Sequence, residues 1–409
     1  MHILEQYSLN CGLKIGKPFI YDKFYPLPFD KYITFNPFGK FNSRKYSFWQ
    51  EVIEMLFPIL EDNNIKIVQI GGPNEQGYDK CHHMMGHTNI NQTAFIVKNS
   101  LLHFGVDSFA IHLASCFQKK IVGLYCNMYS SNSKPYWSNQ EDVILLQAEL
   151  NGKKPSFSAE ESPKTIDSIK PENICDSVLK LLGINEKSKI KTHFIGKQYG
   201  NLLIESTPSF QLHPNIMSGK QLNIRFDYKE NISEFDYDCL IFNLKNRPCS
   251  IITDKKIDLN KIKPFKNNIT NIFYDVTLVD NLDIEFIKQI NSNSIKLSII
   301  FDKYKSNCLE NLNKKKIDLL DLEETIIVIE QNKNSFDLNK INSENLFYKS
   351  KKLLFANNNV YASKRAYLEN QPLKQPIDIL NSNQKLSEIL NRELLISEES
   401  DFLYVFEKN

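Results

Sequence analysis

No apolar run in this sequence approaches the roughly twenty residues that a membrane-spanning helix needs. The N-terminus, Met-His-Ile-Leu-Glu-Gln, lacks the basic and apolar regions of a signal peptide. Both absences point to a soluble, cytoplasmic protein. Paired cysteines are missing too: the eight cysteines are scattered, none in a Cys-x-x-Cys, and Cys116, Cys239 and Cys249 sit inside apolar segments as small core residues would. That usage fits a reduced compartment. There is no surplus of charge, since 50 Lys and Arg against 48 Asp and Glu leave a net +2, which argues against nucleic acid as a partner. Neither Gly-x-Gly-x-x-Gly nor Gly-x-Ser-x-Gly occurs, so a dinucleotide fingerprint and a hydrolase nucleophile elbow have no support.

What the sequence does have is alternation. An apolar run at Leu101–Val106 reads as a buried strand ending at Asp107-Ser108, and Phe109–Phe117 then has helical apolar spacing. A short polar residue at a strand-to-helix turn can cap the helix and aim its free N–H groups at the carboxyl edge of a sheet, where phosphates bind. Upstream, Tyr32–Asn36 reads as a strand running into a Pro/Gly loop (Pro37, Gly39), followed by the basic stretch Lys40–Lys45. A helix is expected over about 47–61, with Phe48, Val52, Met55, Leu56 and Ile59 on one side, and a strand over Ile65–Ile70 that breaks at Gly71-Gly72-Pro73. A short helix over Gln92–Asn99, a strand over Ile121–Cys126, and a helix over Pro171–Leu182 stopped at Gly183 complete the series. Strands and helices at this spacing predict a parallel, doubly wound sheet with right-handed crossovers.

The order of these pieces resembles glycosyltransferase family nine, the ADP-heptose:lipopolysaccharide heptosyltransferases. The resemblance rests on strand–Asn36-Pro-x-Gly39–basic loop with Lys45–helix–strand–Gly71-Gly72-Pro73–Gly86-His-Thr-Asn–helix–strand–Asp107-Ser-x-x-x-His112-Leu-Ala and covers roughly residues 1–185. In that family it corresponds to the donor-binding half. Phe109 stands where the family usually has glycine, and Lys45-Tyr-Ser-Phe-Trp49 replaces its Lys-x-Trp-Pro. The resemblance implies a nucleotide-sugar-binding domain over 30–185 with an N-terminal extension over 1–29 packed on it; the polar, lysine-rich stretch 186–198 reads as a linker and 199–409 as a second α/β domain on the acceptor side, so that the expectation is a GT-B-like α/β protein of two Rossmann-like domains with the donor-binding domain first. It implies an inverting, metal-independent transfer with no cofactor, from an ADP- or UDP-linked sugar to a glycan or lipopolysaccharide-type acceptor, with peripheral membrane contact left open.

Several residues carry that reading, each with a plainer alternative. Lys45, flanked by Ser43 and Arg44 and preceded by Asn36 and Gly39, could neutralise a diphosphate or belong to a solvated loop. Asp107 could accept sugar hydroxyls while Ser108 binds phosphate, or the pair could be an ordinary helix cap. His112 could donate to phosphates or simply pack. Gly71 and Gly72 end a strand at the ligand edge, where Glu75 could bond a ribose or stay in water. Cys81-His82-His83 with His87 lacks the second pair of ligands that a zinc site needs. Asp236-Tyr-Asp238 imitates an Asp-x-Asp metal motif by chance, and no metal site is expected. For the base that would activate the acceptor hydroxyl, Asp227 at a strand end is a guess.

Beyond the linker, apolar segments at Leu222–Phe226, Cys239–Phe242, Ser250–Thr253, Asn271–Tyr274, Leu297–Phe301 and Thr325–Ile329 read as strands, with a helix over Asp283–Ile290. No family motif occurs among them. The rival to an enzyme is a non-catalytic nucleotide-sugar-binding relic or scaffold without the usual acceptor domain. An unrelated α/β enzyme sharing only the sheet is a third reading.

Overall fold

The computed structural model describes residues 1–150, 152, 154–161, 164–195, 202–276, 283–302, 324–329, 346–350, 352–361, 364–370, 372–373, 384–385 and 403–408. The chain divides into two compact units, Met1–His193 with Phe406–Asn409, and Phe194–Val405.

The first unit opens with helix α1 (Ile3–Cys11) and continues through β1 (Tyr32–Asn36), α2 (Trp49–Asp62), β2 (Lys66–Gln69), β3 (His82–His83), α3 (Ile90–Asn99), β4 (Leu102–Val106), α4 (Phe109–Cys116), β5 (Lys120–Tyr125), the single turn α5 (Ser130–Ser133), β6 (Val143–Gln147) and α6 (Pro171–Leu182). The six strands are all parallel, in the order β3-β2-β1-β4-β5-β6. Leu101–Val106 and Ile121–Tyr125 are therefore neighbouring parallel strands, as expected, with Phe104 opposite Val122.

The inner strands β2, β1, β4 and β5 form because each is a short, largely apolar run, the pattern of a parallel strand covered on both faces; β1 and β4 are buried at every position. Register brings Phe35 opposite Phe104, whose rings stack at 4.6 Å with Trp49 edge-on at 4.9 Å. Burying each phenylalanine contributes about 2–3 kcal/mol. The Trp49 indole N–H donates to the Pro37 carbonyl at 3.2 Å, which ties α2 to the loop after β1. Gly105 is required by the sheet itself: a β-carbon there would lie 2.2 Å from the Asn36 carbonyl oxygen on β1. Helix α6 starts on Pro171, ends on Gly183 in the left-handed region, and packs on α2.

Residues 12–31 carry no regular structure, yet they are fastened to the first unit. Lys23 N–H donates to the Asn91 carbonyl, Asp22 pairs with Lys98, and Ile20, Tyr25, Leu27 and Phe29 pack on the core that includes Tyr32 and Val97.

The second unit is also a parallel α/β structure. After β7 (Ile190–Ile195), which crosses the boundary between the units, come β8 (Leu203–Ser206), β9 (Leu222–Arg225), α7 (Glu234–Asn246), β10 (Cys249–Thr253), α8 (Leu259–Ile262), β11 (Ile269–Asp275), α9 (Ile284–Ser292), β12 (Leu297–Asp302), β13 (Glu324–Ile329), β14 (Leu346–Ser350), β15 (Lys352–Ala356) and β16 (Asn359–Tyr361). Eight of these strands form one sheet, ordered β13-β12-β11-β10-β9-β8-β15-β16, in which only β16 runs antiparallel to its neighbour.

Two expectations need correction. Cys239–Phe242 is not a strand but the middle of α7, whose start is fixed by a capping box between Ser233 and Asp236. The lysine-rich stretch 186–198 is not all linker, because Ile190–Ile195 is β7. There Lys189 and Lys191 face solvent while Thr192 is buried and held by Glu172, its N–H and hydroxyl donating at 2.9 and 2.6 Å. Among the described residues, no helix is long and apolar enough to cross a membrane.

Candidate functional site

In an open parallel sheet, ligands bind beyond the carboxyl ends of the strands at the point where strand order reverses. In the first unit that point lies between β1 and β4. Asn36 is the last residue of β1, and Asp107-Ser108 follows β4 directly. The Ser108 hydroxyl donates to Asn36 Oδ1 at 2.8 Å, and Asn36 Nδ2 donates to the Ile70 carbonyl at 3.0 Å, so one buried amide joins the ends of β1 and β2 to the start of α4. Ser108 turns its hydroxyl to Asn36 and makes no side-chain cap to α4. The first N–H groups of that helix keep their capacity for an anion.

Asp107 is the centre of the polar cluster. Its side chain is 6% exposed. Arg44 Nη1 lies 3.1 Å from both its backbone carbonyl and Oδ2; the Ser133 hydroxyl donates to Oδ2 at 3.2 Å, and His112 Nε2 stands 3.6 Å from Oδ1. Arg44 itself donates through Nε to Asn127 Oδ1 at 3.2 Å and lies over the Phe41 ring. The structure thus brings together Asn36, Asp107, Ser108 and His112 from the sequence reading. Gly39 borders the cluster, a β-carbon there meeting the Arg44 side chain at 3.1 Å.

The basic loop divides its labour differently from the expectation. Arg44, not Lys45, turns inward to the carboxylate. Lys45 is exposed, and its carbonyl accepts from Lys164 Nζ at 2.6 Å. Ser43 is fully buried and occupied: its N–H donates to Ala159, its hydroxyl donates to the Ser158 carbonyl, and Asn127 Nδ2 donates to that hydroxyl at 3.0 Å. It braces the loop.

At the end of β2, Gly71 makes room for Glu75, since a β-carbon on Gly71 would fall 1.9 Å from Glu75 Oε2. That oxygen is buried without a hydrogen-bond partner among the described residues. Burial pushes the Glu75 carboxyl above its ordinary range, opposed by a backbone hydrogen bond at Gly72. Gly72 is partly exposed in the same turn.

Two residues that no motif flagged organise this edge. Asn127, after β5, is 4% exposed. Its side chain bonds Arg44 and Ser43, its Nδ2 also donates to the Ser158 carbonyl at 2.8 Å, and its own carbonyl accepts the Phe157 N–H at 2.9 Å. Phe157 thereby sits at φ +53°, in the left-handed region. Such a conformation costs a non-glycine residue about 1–2 kcal/mol. The only readable signal was the polar residue ending an apolar strand.

Other singled-out residues have partners of their own. His83 Nε2 is bonded to the Tyr78 carbonyl and His82 lies edge-on to Phe29. Among the described residues, no group of three His, Cys, Asp or Glu could hold a metal ion. Asp236 caps α7 and pairs with Lys229. Asp227 belongs to the second unit, in the turn after β9, with Oδ1 and Oδ2 accepting from Arg225 Nε and Nη2 at 2.9 and 2.6 Å, while Arg225 Nη1 bonds Glu205. A carboxylate clamped at both oxygens is a poor base, so the catalytic guess gains nothing from its position.

Three solved structures illustrate the likeness to known proteins. A glycosyl transferase family 9 protein from Veillonella parvula is 20% identical, covering 37% of this chain and 46% of that one with a TM-score of 0.30. The ADP-heptose LPS heptosyltransferase II of E. coli is 16% identical, with 44% and 50% covered and a TM-score of 0.30. The E. coli heptosyltransferase WaaC with ADP is 14% identical, with 36% and 49% covered and a TM-score of 0.27. The chain spans about half the length of the solved structures it matches. No curated protein sequence matches it. The family model of glycosyltransferase family 9 (heptosyltransferase) matches residues 9–166, a range that contains Asn36, Arg44, Asp107, Ser108 and His112. Over residues 9–166 the chain thus resembles glycosyltransferase family 9 (heptosyltransferase).

Proposed function

We propose that the first unit binds a nucleotide-diphosphate sugar, ADP- or UDP-linked, at the β1/β4 switch point, as the donor side of an inverting, metal-independent glycosyltransferase of heptosyltransferase type. The observation that carries the reading is the coincidence of the strand-order reversal with Asn36, Asp107 and Ser108 inside the matched segment. The diphosphate would lie against the uncapped start of α4, with Lys45 supplying mobile positive charge and His112 a hydrogen-bond donor where negative charge develops as the nucleotide leaves. Glu75 would accept from the ribose. An acceptor hydroxyl, on a glycan or lipopolysaccharide-type molecule at a cytoplasmic face, would attack the anomeric carbon with its proton passing to a base. The second unit would take the acceptor side.

A second reading, a binding protein without turnover, draws on one observation: Arg44 is already committed to Asp107, so the site's inward cation is neutralised before a ligand arrives. Calorimetric titration with ADP, UDP and their sugars, followed by a nucleotide-release assay with and without glycan acceptors, separates the two. Release that depends on acceptor supports the transferase. Binding without release leaves the binding protein, and no binding sinks both.

A further inference from the structure

We infer that Phe157 and Tyr129 form an aromatic platform that receives the face of a pyranose ring beside the switch-point cluster; the inference rests on the donor-binding reading and names the part of the ligand that these residues would meet.

The starting point is a residue that folding does not explain. Among the described residues in the left-handed region, Phe157 is the one aromatic. Glycine and asparagine adopt that conformation at little cost, whereas a bulky side chain there is an outlier. Burial gives no return either, because the residue is 59% exposed. The conformation is nevertheless held from two directions, by the Asn127 carbonyl on the Phe157 N–H and by Asn127 Nδ2 on the next carbonyl, Ser158. A strained backbone that the surroundings over-determine points to use of the side chain it displays.

The displayed ring has a partner. Tyr129, 44% exposed, comes from the loop after β5, and the two rings stand 6.1 Å apart at 66°. The loops that carry them meet at Asn127, which also holds Arg44. Tyr129 follows Met128, whose sulfur contacts both Arg44 Nη2 and the Ser133 hydroxyl. On its other side, Ser130 N–H donates to Gln147 Oε1. The aromatic pair is therefore one residue removed from groups that touch Asp107.

Apolar ring faces beside hydrogen-bonding groups suit a sugar. The C–H face of a pyranose packs on an aromatic ring, while its rim of hydroxyls needs polar groups such as the exposed Gln147 amide beside Tyr129, whose Nε2 uses one hydrogen on the Met128 carbonyl and keeps a second to donate. Packing of this kind contributes a factor of about three to ten in affinity.

The test compares wild type with Phe157→Gly, a substitution that removes the ring and suits the backbone. Calorimetry is run with ADP, UDP, ADP-glucose and UDP-glucose, and saturation-transfer NMR with methyl glucoside and methyl mannoside. The expected result is a loss of about three- to tenfold in affinity for the nucleotide sugar that wild type binds, unchanged affinity for the nucleoside diphosphate, weakened glycoside signals, and an equal or higher melting temperature. Equal sugar affinity and equal glycoside signals in both proteins would overturn the platform. An equal loss for nucleotide and nucleotide sugar would overturn it too, by placing a base on the ring. If wild type binds no nucleotide, the donor reading fails, and the glycoside signals alone decide the platform.

Discussion

Arg44 Nη1 stands 3.1 Å from two oxygens of the same residue, the backbone carbonyl and the carboxylate of Asp107. This grip fastens the loop after β1 to the end of β4, across the point where the strand order reverses. It also distinguishes two neighbouring cations that look alike in sequence.

Arg44→Ala is expected to lower stability by about 2–4 kcal/mol, because it strands a largely buried carboxylate. Lys45→Ala should leave stability within about 0.5 kcal/mol and weaken ADP or UDP binding by about 1.5–3 kcal/mol through the loss of a charge-assisted contact. Thermal denaturation and calorimetric titration check both halves. Unchanged nucleotide affinity would return Lys45 to the role of a solvated loop residue.

Asn127→Ala removes the side chain that joins Arg44, Ser43 and Ser158. A stability loss of about 2–4 kcal/mol is expected, together with faster proteolysis within 154–161. A variant that melts and is cleaved like wild type would show that the three loops hold without their clip.

Gly105→Ala sets a methyl group 2.2 Å from the Asn36 carbonyl oxygen. The obstacle is backbone in the adjoining strand, so no rotamer change relieves it. Destabilisation of about 3 kcal/mol or more is expected, by the logic of overpacking, and measured melting of the variant tests it. A mild effect would mean that β1 can shift away from β4.

His103 gives the fold a pH dependence. It is fully buried on β4, Nδ1 3.0 Å from the Thr34 hydroxyl, and burial lowers its pKa to about 3. In the unfolded chain it takes up a proton near the ordinary value of about 6.5. As pH falls through that window, the unfolded state binds the proton and the folded state does not. Stability therefore drops by about 1.4 kcal/mol per pH unit, and between pH 7.5 and pH 5 by about 2 kcal/mol. Urea unfolding of wild type and His103→Gln at those two values measures it: the wild type should lose more by that amount. Parallel losses would remove His103 as the cause.

Four strands of the first unit, β1, β2, β4 and β5, were readable because a strand buried on both faces must be apolar throughout, and their ends fell within about two residues of the expected ones; the two edge strands β3 and β6, less buried, were not read. The same rule misled at Cys239–Phe242, where four apolar residues fit a strand or one turn of a buried helix equally well; Ser233 and Asp236, three residues apart, held the better clue. Asn36, Asp107 and Ser108 were legible because chemistry and position coincide at a strand end. Arg44 and Lys45 were not separable, since which of two adjacent side chains turns inward depends on a single 3-10 turn. Asn127 showed only as a polar residue ending an apolar strand, and Phe157 not at all: a distant hydrogen bond and the sign of one φ angle leave no periodicity behind.

The edge-on packing of Trp49 against Phe35, with its indole N–H on the Pro37 carbonyl, equips the loop ahead of the site with a built-in optical reporter. The sequence contains two tryptophans, and the other, Trp137, donates its indole N–H to the Gly16 carbonyl on the N-terminal segment. Trp49 has no exposed surface and should emit towards the blue, while Trp137 is partly exposed and should emit further to the red. Collisional quenchers will reach the second long before the first. Emission resolved in this way follows the Pro37 loop and the N-terminal segment separately, in a single cuvette and without a label.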